Sequence, residues 1–112
     1  MATLEDVERF LGDFKRKADE SGLNTIPTQK NRDELAMTGL MPHERTRIVM
    51  ELEPEDYSEG PMRDDDRSPG EVWVFGKVLP QGTIYIKLKL FDEAKCLSFH
   101  LADFTIDRPF KC

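Results

Sequence analysis

The stretch EVWVFGKVLPQGTIYIKLKLFDEAKCLSFHLA, residues 71–102, decides the fold class. Apolar and polar residues alternate in three runs, 71–79, 83–90 and 95–102, and each run is rich in β-branched or aromatic residues. Such alternation is typical of strands that bury one face and expose the other. The stretch therefore predicts an antiparallel sheet of three or more strands.

The first turn predicts which side chains share a face. Pro80-Gln81-Gly82 fits a three-residue hairpin loop, which would pair Lys77 with Tyr85. One face then collects the apolar side chains of Val72, Val74, Val78, Ile84, Ile86, Leu88, Leu90, Leu97, Phe99 and Leu101. The other face collects Trp73, Phe75, Lys77, Tyr85, Lys87, Lys89, Ser98 and His100.

The second turn leaves two pairings open for His100. A two-residue turn at Asp92-Glu93 sets His100 opposite Tyr85, and a loop two pairs longer sets it opposite Lys87. In both cases His100 lies within one cross-strand or diagonal step of Tyr85 and Lys87.

The rest of the chain predicts helices that pack on the apolar face of the sheet, in an α+β fold of one domain, residues 1–112. Residues 1–52 are mainly helical, with helices predicted over 4–20, over 31–38 and from Pro42 to about 52, and a short extended piece is predicted at Thr25-Ile26. Residues 53–70 are rich in proline, glycine and aspartate and predict a mobile loop. Residues 103–112 form a C-terminal extension.

Composition limits the class of protein. The 38% of hydrophobic residues is below the usual value of about 45–50%, which predicts a modest core. No apolar run approaches the roughly 18 residues of a membrane span, and the first residues lack the features of a signal peptide. We therefore expect a cytoplasmic protein without a membrane partner, in which Cys96 and Cys112 are free thiols.

One face of the predicted sheet has the groups that metal-free RNA cleavage requires: a base, an acid and a cation. His100 is the best acid or base because histidine changes its charge near neutral pH. Tyr85 would orient the substrate or donate a proton, and Lys87 and Lys77 would stabilise charge on phosphorus. Residues 71–112 carry six Lys and Arg against five Asp and Glu, whereas the first seventy residues carry ten against seventeen, so this half is the less acidic one.

Two aromatic residues on the same predicted face, Trp73 and Phe75, would stack on single-stranded bases. Alternatively, they cover a secondary core beneath the long loop, and lysines such as Lys77 and Lys87 protect an exposed strand from pairing with another chain. The sequence has no clustered ligand set for a metal and no glycine-rich motif for a phosphate. We expect neither a metal nor a cofactor.

Four segments resemble the MqsR-type toxins of bacterial toxin–antitoxin pairs: LEPEDYSEGPM at 52–62, EVWVFGK at 71–77, IYIKLKL at 84–90 and CLSFH at 96–100. The resemblance implies a RelE-like fold, metal-independent cleavage of mRNA, and neutralisation by an antitoxin protein. It also implies that Tyr85, Lys87 and His100 are the catalytic residues. The family's loop lysine is absent near residues 58–59, so Arg63 or Arg67 would supply that charge.

Two other functions are compatible with the sequence. The first is a non-catalytic module that uses the toxin-like sheet to bind protein or RNA, in keeping with the acidic N-terminal half. The second is an enzyme for a small molecule, which an open sheet face without a convergent pocket disfavours. A neighbouring gene for a small helix-turn-helix protein would favour the toxin.

Overall fold

The computed structural model describes residues 2–111 of the chain. Its elements follow in the order α1 Leu4–Ser21, β1 Leu23–Asn24, α2 Gln29–Thr38, α3 Pro42–Met50, a 3₁₀ helix Pro54–Asp56, β2 Tyr57–Met62, β3 Glu71–Leu79, β4 Gly82–Leu90 and β5 Ala94–Leu101. A helical N-terminal part and a β-rich C-terminal part give the predicted α+β fold. Cys112, one of the two predicted free thiols, lies outside the described residues.

The predicted helices are confirmed, and identifiable residues start and end them. The Thr3 hydroxyl accepts a hydrogen bond from the backbone N–H of Asp6 at 3.1 Å and caps α1, and Gly22 ends it. Gly39 ends α2 in the left-handed conformation that glycine adopts without strain. Pro42 occupies the first turn of α3, where its missing N–H costs no hydrogen bond.

Residues 2–111 contain one mixed sheet of five strands in the order β1-β5-β4-β3-β2. Strands β2 to β5 are antiparallel to their neighbours, whereas β1 runs parallel to β5. The first strand lies at Leu23–Asn24, directly before the extended piece predicted at Thr25-Ile26. The helices cover one face of this sheet, which we call the helix-covered face, and we call the opposite face the outer face.

The predicted register of the first hairpin is wrong by one residue. Leu79 pairs with Gly82, so the turn contains only Pro80 and Gln81. Gly82 has a φ of +137°, far from the left-handed helical value that the last residue of a three-residue loop adopts, and it belongs to the strand. A shift of one residue moves every side chain of β3 to the other face relative to β4.

The shift places the two large aromatic side chains of β3 in the core. Phe10 of α1 stacks on Trp73 with a ring-centroid distance of 4.6 Å and on Phe75 at 6.2 Å. The predicted outer position of Trp73 and Phe75 is therefore wrong. The prediction that the valines of β3 pack against the helices is also wrong. These valines belong to the outer face: Val72, Val74 and Val78.

The predicted faces of β4 and β5 are confirmed apart from one residue. The core contains Ile84, Ile86, Leu88 and Phe99, with Leu90 and Leu101 packed against it. The second hairpin pairs Leu90 with Ala94, so its loop has three residues, and a bulge at Leu97 then restores the pairing of Tyr85 with His100. Leu97 lines a groove on the outer face, and its predicted place in the core is wrong.

The mobile loop predicted over 53–70 is wrong for residues 54–62, which form the 3₁₀ helix and β2. One aromatic residue anchors this polar segment. Tyr57 is buried, its ring meets Phe75 edge-on, and its hydroxyl donates a hydrogen bond to the Gly60 carbonyl oxygen at 2.8 Å. β2 is an edge strand with irregular pairing, a position where Pro61 is tolerated.

Two segments outside the sheet contact its outer face. Residues 63–70, which we call the acidic loop, connect β2 to β3, and residues 102–111, which we call the tail, follow β5. The tail passes Gly76 on the outer face and ends with Phe110 stacked on Tyr57. Among the helices of the described chain, none has both the length and the apolar character required to cross a membrane.

Candidate functional site

Tyr85 and His100 form a stacked pair on the outer face. They are direct partners across β4 and β5, their ring centroids are 5.0 Å apart, and their planes differ by 18°. Alternation with the buried residues Ile84, Ile86 and Phe99 fixes both side chains on this face. Both rings are half-buried, so each keeps contact with solvent.

One hydrogen bond sets the tautomer of His100. Its Nδ1 lies 2.9 Å from the carbonyl oxygen of Leu101. A carbonyl oxygen only accepts, so Nδ1 carries a proton and donates it. In the neutral imidazole Nε2 is then the unprotonated nitrogen, which makes it the atom that accepts a proton from a substrate.

Tyr85 remains a phenol at neutral pH. Burial raises the pKa of its hydroxyl above the ordinary 10.0, and the negative charges of Glu59 and Asp65 raise it further. The hydroxyl is therefore a hydrogen-bond donor and a weak acid, and it is not a base.

Lys87 supplies the cation of the site, two residues after Tyr85 on the same face, where it pairs with Ser98 of β5. Its ammonium nitrogen lies 3.7 Å from a carboxylate oxygen of Asp65 in the acidic loop. Tyr85, Lys87 and His100 thus share one face, as the sequence predicts, and the acidic loop reaches the cation.

Lys89 fastens the acidic loop to the sheet. Its side chain is only 5% exposed, and Nζ donates hydrogen bonds to Asp64 Oδ2 at 2.7 Å and to the Ser68 hydroxyl. The hydrogen bond from Lys89 lowers the pKa of the Asp64 carboxyl. Within the loop, Ser68 donates to Asp66 and lowers the pKa of that carboxyl. Lys89 therefore holds the loop in place.

A groove of about 400 Å³ runs between the acidic loop and strands β4 and β5. Its walls carry lysines from the strands and aspartates from the loop: Lys87, Lys89, Lys95, Asp64, Asp65 and Asp66. Lys95 also pairs with Glu93 at 3.7 Å. The lysines of the outer face are thus paired with carboxylates of the same chain. In the described chain, no three His, Cys, Asp or Glu side chains are arranged to hold a metal ion.

Three of the predicted RNA-binding residues lie away from this site. Trp73 and Phe75 are core residues beneath α1, as described above. Lys77 lies on the same face of β3 as these two residues, pairs with Ile84, and contacts the buried carboxylate of Asp56 at 3.6 Å. The predicted grouping of Lys77 with Tyr85 is wrong for the same reason, the two-residue turn.

The two arginines predicted to bind RNA belong to the acidic loop. Arg63 and Arg67 are both exposed to solvent. Arg67 has a φ of +61°, and its backbone N–H donates to the Asp64 carbonyl oxygen at 2.9 Å, which closes the turn that presents Asp65.

Sequence reasoning missed two features of the site. The first is the contact of the acidic loop with Lys87 and Lys89, although the run of three aspartates beside a lysine-rich strand was an available signal. The second is Phe104, whose ring centroid lies 6.1 Å from that of Tyr85 in an edge-on arrangement. Phe104 lies in the tail, where no periodic pattern predicts its position.

No known family model matches this chain, and neither a curated protein nor a solved structure matches it at a significant level.

Proposed function

We propose that this protein is a cytoplasmic, metal-independent endoribonuclease that cleaves mRNA, with His100, Tyr85 and Lys87 as its catalytic residues. The observation that carries the proposal is the cross-strand stack of Tyr85 on His100, with Lys87 on the same face. A base, a weak acid and a cation side by side are what cleavage through a ribose 2′-hydroxyl needs.

In the proposed reaction His100 is the base. Nε2 takes the proton of the 2′-hydroxyl while Nδ1 remains bonded to the Leu101 carbonyl oxygen. The 2′-oxygen forms a bond to phosphorus and the bond to the 5′-oxygen breaks, which leaves a 2′,3′-cyclic phosphate. The bond to Leu101 keeps the imidazole in the required tautomer throughout.

Tyr85 and Lys87 serve the other two requirements. The Tyr85 hydroxyl, which is protonated at neutral pH since its pKa lies above 10.0, gives a proton to the leaving 5′-oxygen. The Lys87 ammonium group stabilises the negative charge that develops on the phosphoryl oxygens. Proton exchange with water restores both Tyr85 and His100 after each turnover.

Phosphate binding at Lys87 competes with Asp65. Lys87 is the less exposed partner of that pair, and the carboxylate of Asp65 is almost fully exposed to solvent. A phosphodiester is an anion of the same charge, so RNA replaces Asp65 at Lys87 without a change in the charge balance. Arg63 and Arg67 of the same loop would then contact the RNA backbone.

The biological setting we propose is that of a toxin with a cognate antitoxin protein. The four segments that resemble MqsR-type toxins support it, since they include Tyr85, Lys87 and His100. Expression of the protein alone should arrest bacterial growth, and co-expression of the product of a neighbouring antitoxin gene should restore it. Unchanged growth on expression of the folded protein alone would contradict the toxin.

The biochemical test is cleavage of a mixed-sequence single-stranded RNA by the purified chain, with and without a chelator and with and without ribosomes. We expect products that end in 2′,3′-cyclic phosphate and a rate unaffected by the chelator. Lys87→Ala should lower the rate. Lys95→Ala, which removes another lysine of the outer face, should have little effect. Failure of the wild type to cleave, even with ribosomes, would contradict the proposal.

The contact of the acidic loop with Lys87 and Lys89 favours one alternative, a non-catalytic module whose sheet binds protein or RNA. In such a module the lysines would be permanently neutralised by Asp64 and Asp65. RNA that binds to the wild type without being cleaved would support this alternative.

A further inference from the structure

The tail is held to the sheet on both sides of Phe104. Before it, the Ala102 N–H donates to the Thr83 carbonyl oxygen at 2.9 Å. After it, the Ile106 side chain fills the space above Gly76, where an added Cβ would lie 2.9 Å from Ile106 Cγ2. Farther along, Arg108 pairs with Asp56 at 3.7 Å. The backbone around Phe104 is therefore fixed.

Between these fixed points the Phe104 ring points into solvent with 60% of its surface exposed. Its one described aromatic contact is the edge-on arrangement with Tyr85 at 6.1 Å, and Tyr85 stacks on His100. The three rings form a continuous aromatic surface that ends at the proposed base. Phe104 is the outer ring of the three, with room beside it.

That room is a groove of about 530 Å³ beside Phe104. Its wall combines apolar surface from Val78 and Ile106 with two cationic side chains, Arg108 and Lys111, and one carboxylate, Asp103. Nucleobases are flat and aromatic, and in RNA they are attached to an anionic backbone. An apolar wall, an exposed aromatic ring and an excess of positive charge match both properties.

We propose that Phe104 stacks on a nucleobase of single-stranded RNA and positions the adjacent phosphate at Tyr85 and His100. The inference rests on the proposed function, because it supplies the base-binding contact that Trp73 and Phe75 cannot make from the core. Stacking on one aromatic residue changes affinity by roughly 5- to 150-fold in single-strand binding proteins. Phe104 is thus a positioning residue for substrate, while His100 and Tyr85 act on the reacting atoms.

The test uses a short single-stranded 2′-O-methyl RNA that carries 2-aminopurine, a fluorescent base that stacking quenches. The blocked 2′-oxygen prevents cleavage, so binding is measured separately from chemistry. Phe104→Ala is compared with Phe91→Ala, which removes another phenylalanine, 63% exposed, from the β4–β5 loop. Thermal unfolding of both variants shows that the fold is retained.

We expect Phe104→Ala to weaken binding by roughly 5- to 150-fold and to abolish the quenching, while Phe91→Ala behaves like the wild type. Phe104→Trp should restore both signals. With cleavable RNA, Phe104→Ala should raise KM more than it lowers kcat, since the reacting groups remain.

Equal binding by the two alanine variants, in a chain that binds and cleaves RNA, would overturn the inference and leave the proposed function intact. Absence of RNA binding by the wild type would overturn both. Loss of a protein partner by Phe104→Ala, with RNA binding unchanged, would mark the ring as a protein contact and would overturn the inference.

Discussion

Asp65 and Lys87 form an ion pair across the outer face whose two members differ greatly in exposure: the Asp65 side chain is 94% exposed and that of Lys87 is 19% exposed. The carboxylate is thus almost fully hydrated, while the lysine is held in place by the sheet. Pairs with a well-solvated member contribute little free energy, because water and salt screen the attraction. The loop covers the cation of the proposed site without blocking it permanently.

We therefore expect Asp65→Asn to strengthen RNA binding. Exposed ion pairs contribute about 0.2–1 kcal/mol, so removal of the competing carboxylate should raise affinity by roughly 1.4- to 5-fold. The measurement is fluorescence anisotropy of a labelled 2′-O-methyl RNA at fixed ionic strength, since salt alone changes such affinities. Asp19→Asn, which removes an exposed charge from α1, controls for net charge. An equal gain in both variants would show a general charge effect.

We expect His100→Ala to slow RNA cleavage by roughly 10²- to 10⁴-fold, the usual contribution of a positioned acid or base. The fold should be retained, because loss of one aromatic stacking partner costs about 0.5–1.5 kcal/mol. Single-turnover cleavage and thermal unfolding are measured together. Ser98→Ala, a neighbour on the same face of β5, is the matched control. Cleavage at the wild-type rate by a folded His100→Ala variant would exclude His100 from the mechanism.

The alkaline limit of cleavage follows from the role of Tyr85. The rate should fall only above pH 10.0, because burial, Glu59 and Asp65 raise the pKa of Tyr85 and keep its proton in place below that pH. Tyr85→Phe should lower the rate and remove the alkaline decline. A decline that begins near neutral pH would exclude Tyr85 as the acid.

The shared face of Tyr85 and His100 was predictable, whereas their direct pairing was one of two that the second turn left open. Ile84 and Ile86 on one strand and Phe99 on the next are apolar, and their neighbours are polar, so only one choice of faces buries the apolar side chains. The same argument predicted the fold class. It does not depend on how the chain turns.

β3 was not predictable in the same way, because both of its faces are apolar. Val72 and Val74 alternate with Trp73 and Phe75, so burial alone does not decide which pair faces the helices. Which pair is buried depends on the length of the turn between β3 and β4, and Pro80 and Gly82 are compatible with a loop of two or of three residues. The contacts of the acidic loop with Lys87 are tertiary and leave no periodic signal.

The hydrogen bonds by which Lys89 holds the acidic loop should be removable without unfolding of the sheet. Lys89→Met keeps the aliphatic part of the side chain and removes the hydrogen bonds to Asp64 and Ser68. Hydrogen bonds to charged groups contribute about 1.5–3 kcal/mol, and here their loss is confined to one loop. The backbone amides of Arg67 and Ser68, both hydrogen-bonded within the loop, should lose protection from hydrogen exchange. Lys95→Met, which breaks a more exposed pair with Glu93, should leave that protection unchanged.

In the wild type, acid should break the contact between Lys89 and Asp64. The pKa of Asp64 is lowered in the folded protein, so its contribution is fully present above the ordinary 3.8 and is lost as the pH falls through the lowered value. Exchange of the Arg67 and Ser68 amides, corrected for intrinsic rates, should therefore be constant from neutral pH down to 3.8 and accelerate below it. Acceleration that begins well above 3.8 would show that Asp64 does not hold the loop.

Trp73 provides a direct test of the register, because an aromatic residue of the core and one that stacks on RNA respond differently to truncation. The ring lies 4.6 Å from that of Phe10 and is buried, so Trp73→Ala should destabilise the protein by about 3–5 kcal/mol, the usual cost of removing a large aromatic side chain from a core. Trp73→Phe keeps an aromatic ring against Phe10 and removes an indole N–H that has no hydrogen-bond partner. It should cost much less. Denaturant unfolding measures both changes, and RNA binding by the folded Trp73→Phe variant should equal that of the wild type. A stable Trp73→Ala variant that has lost RNA binding would show that Trp73 lies on the outer face. It would contradict the two-residue turn, which sets the register between β3 and β4.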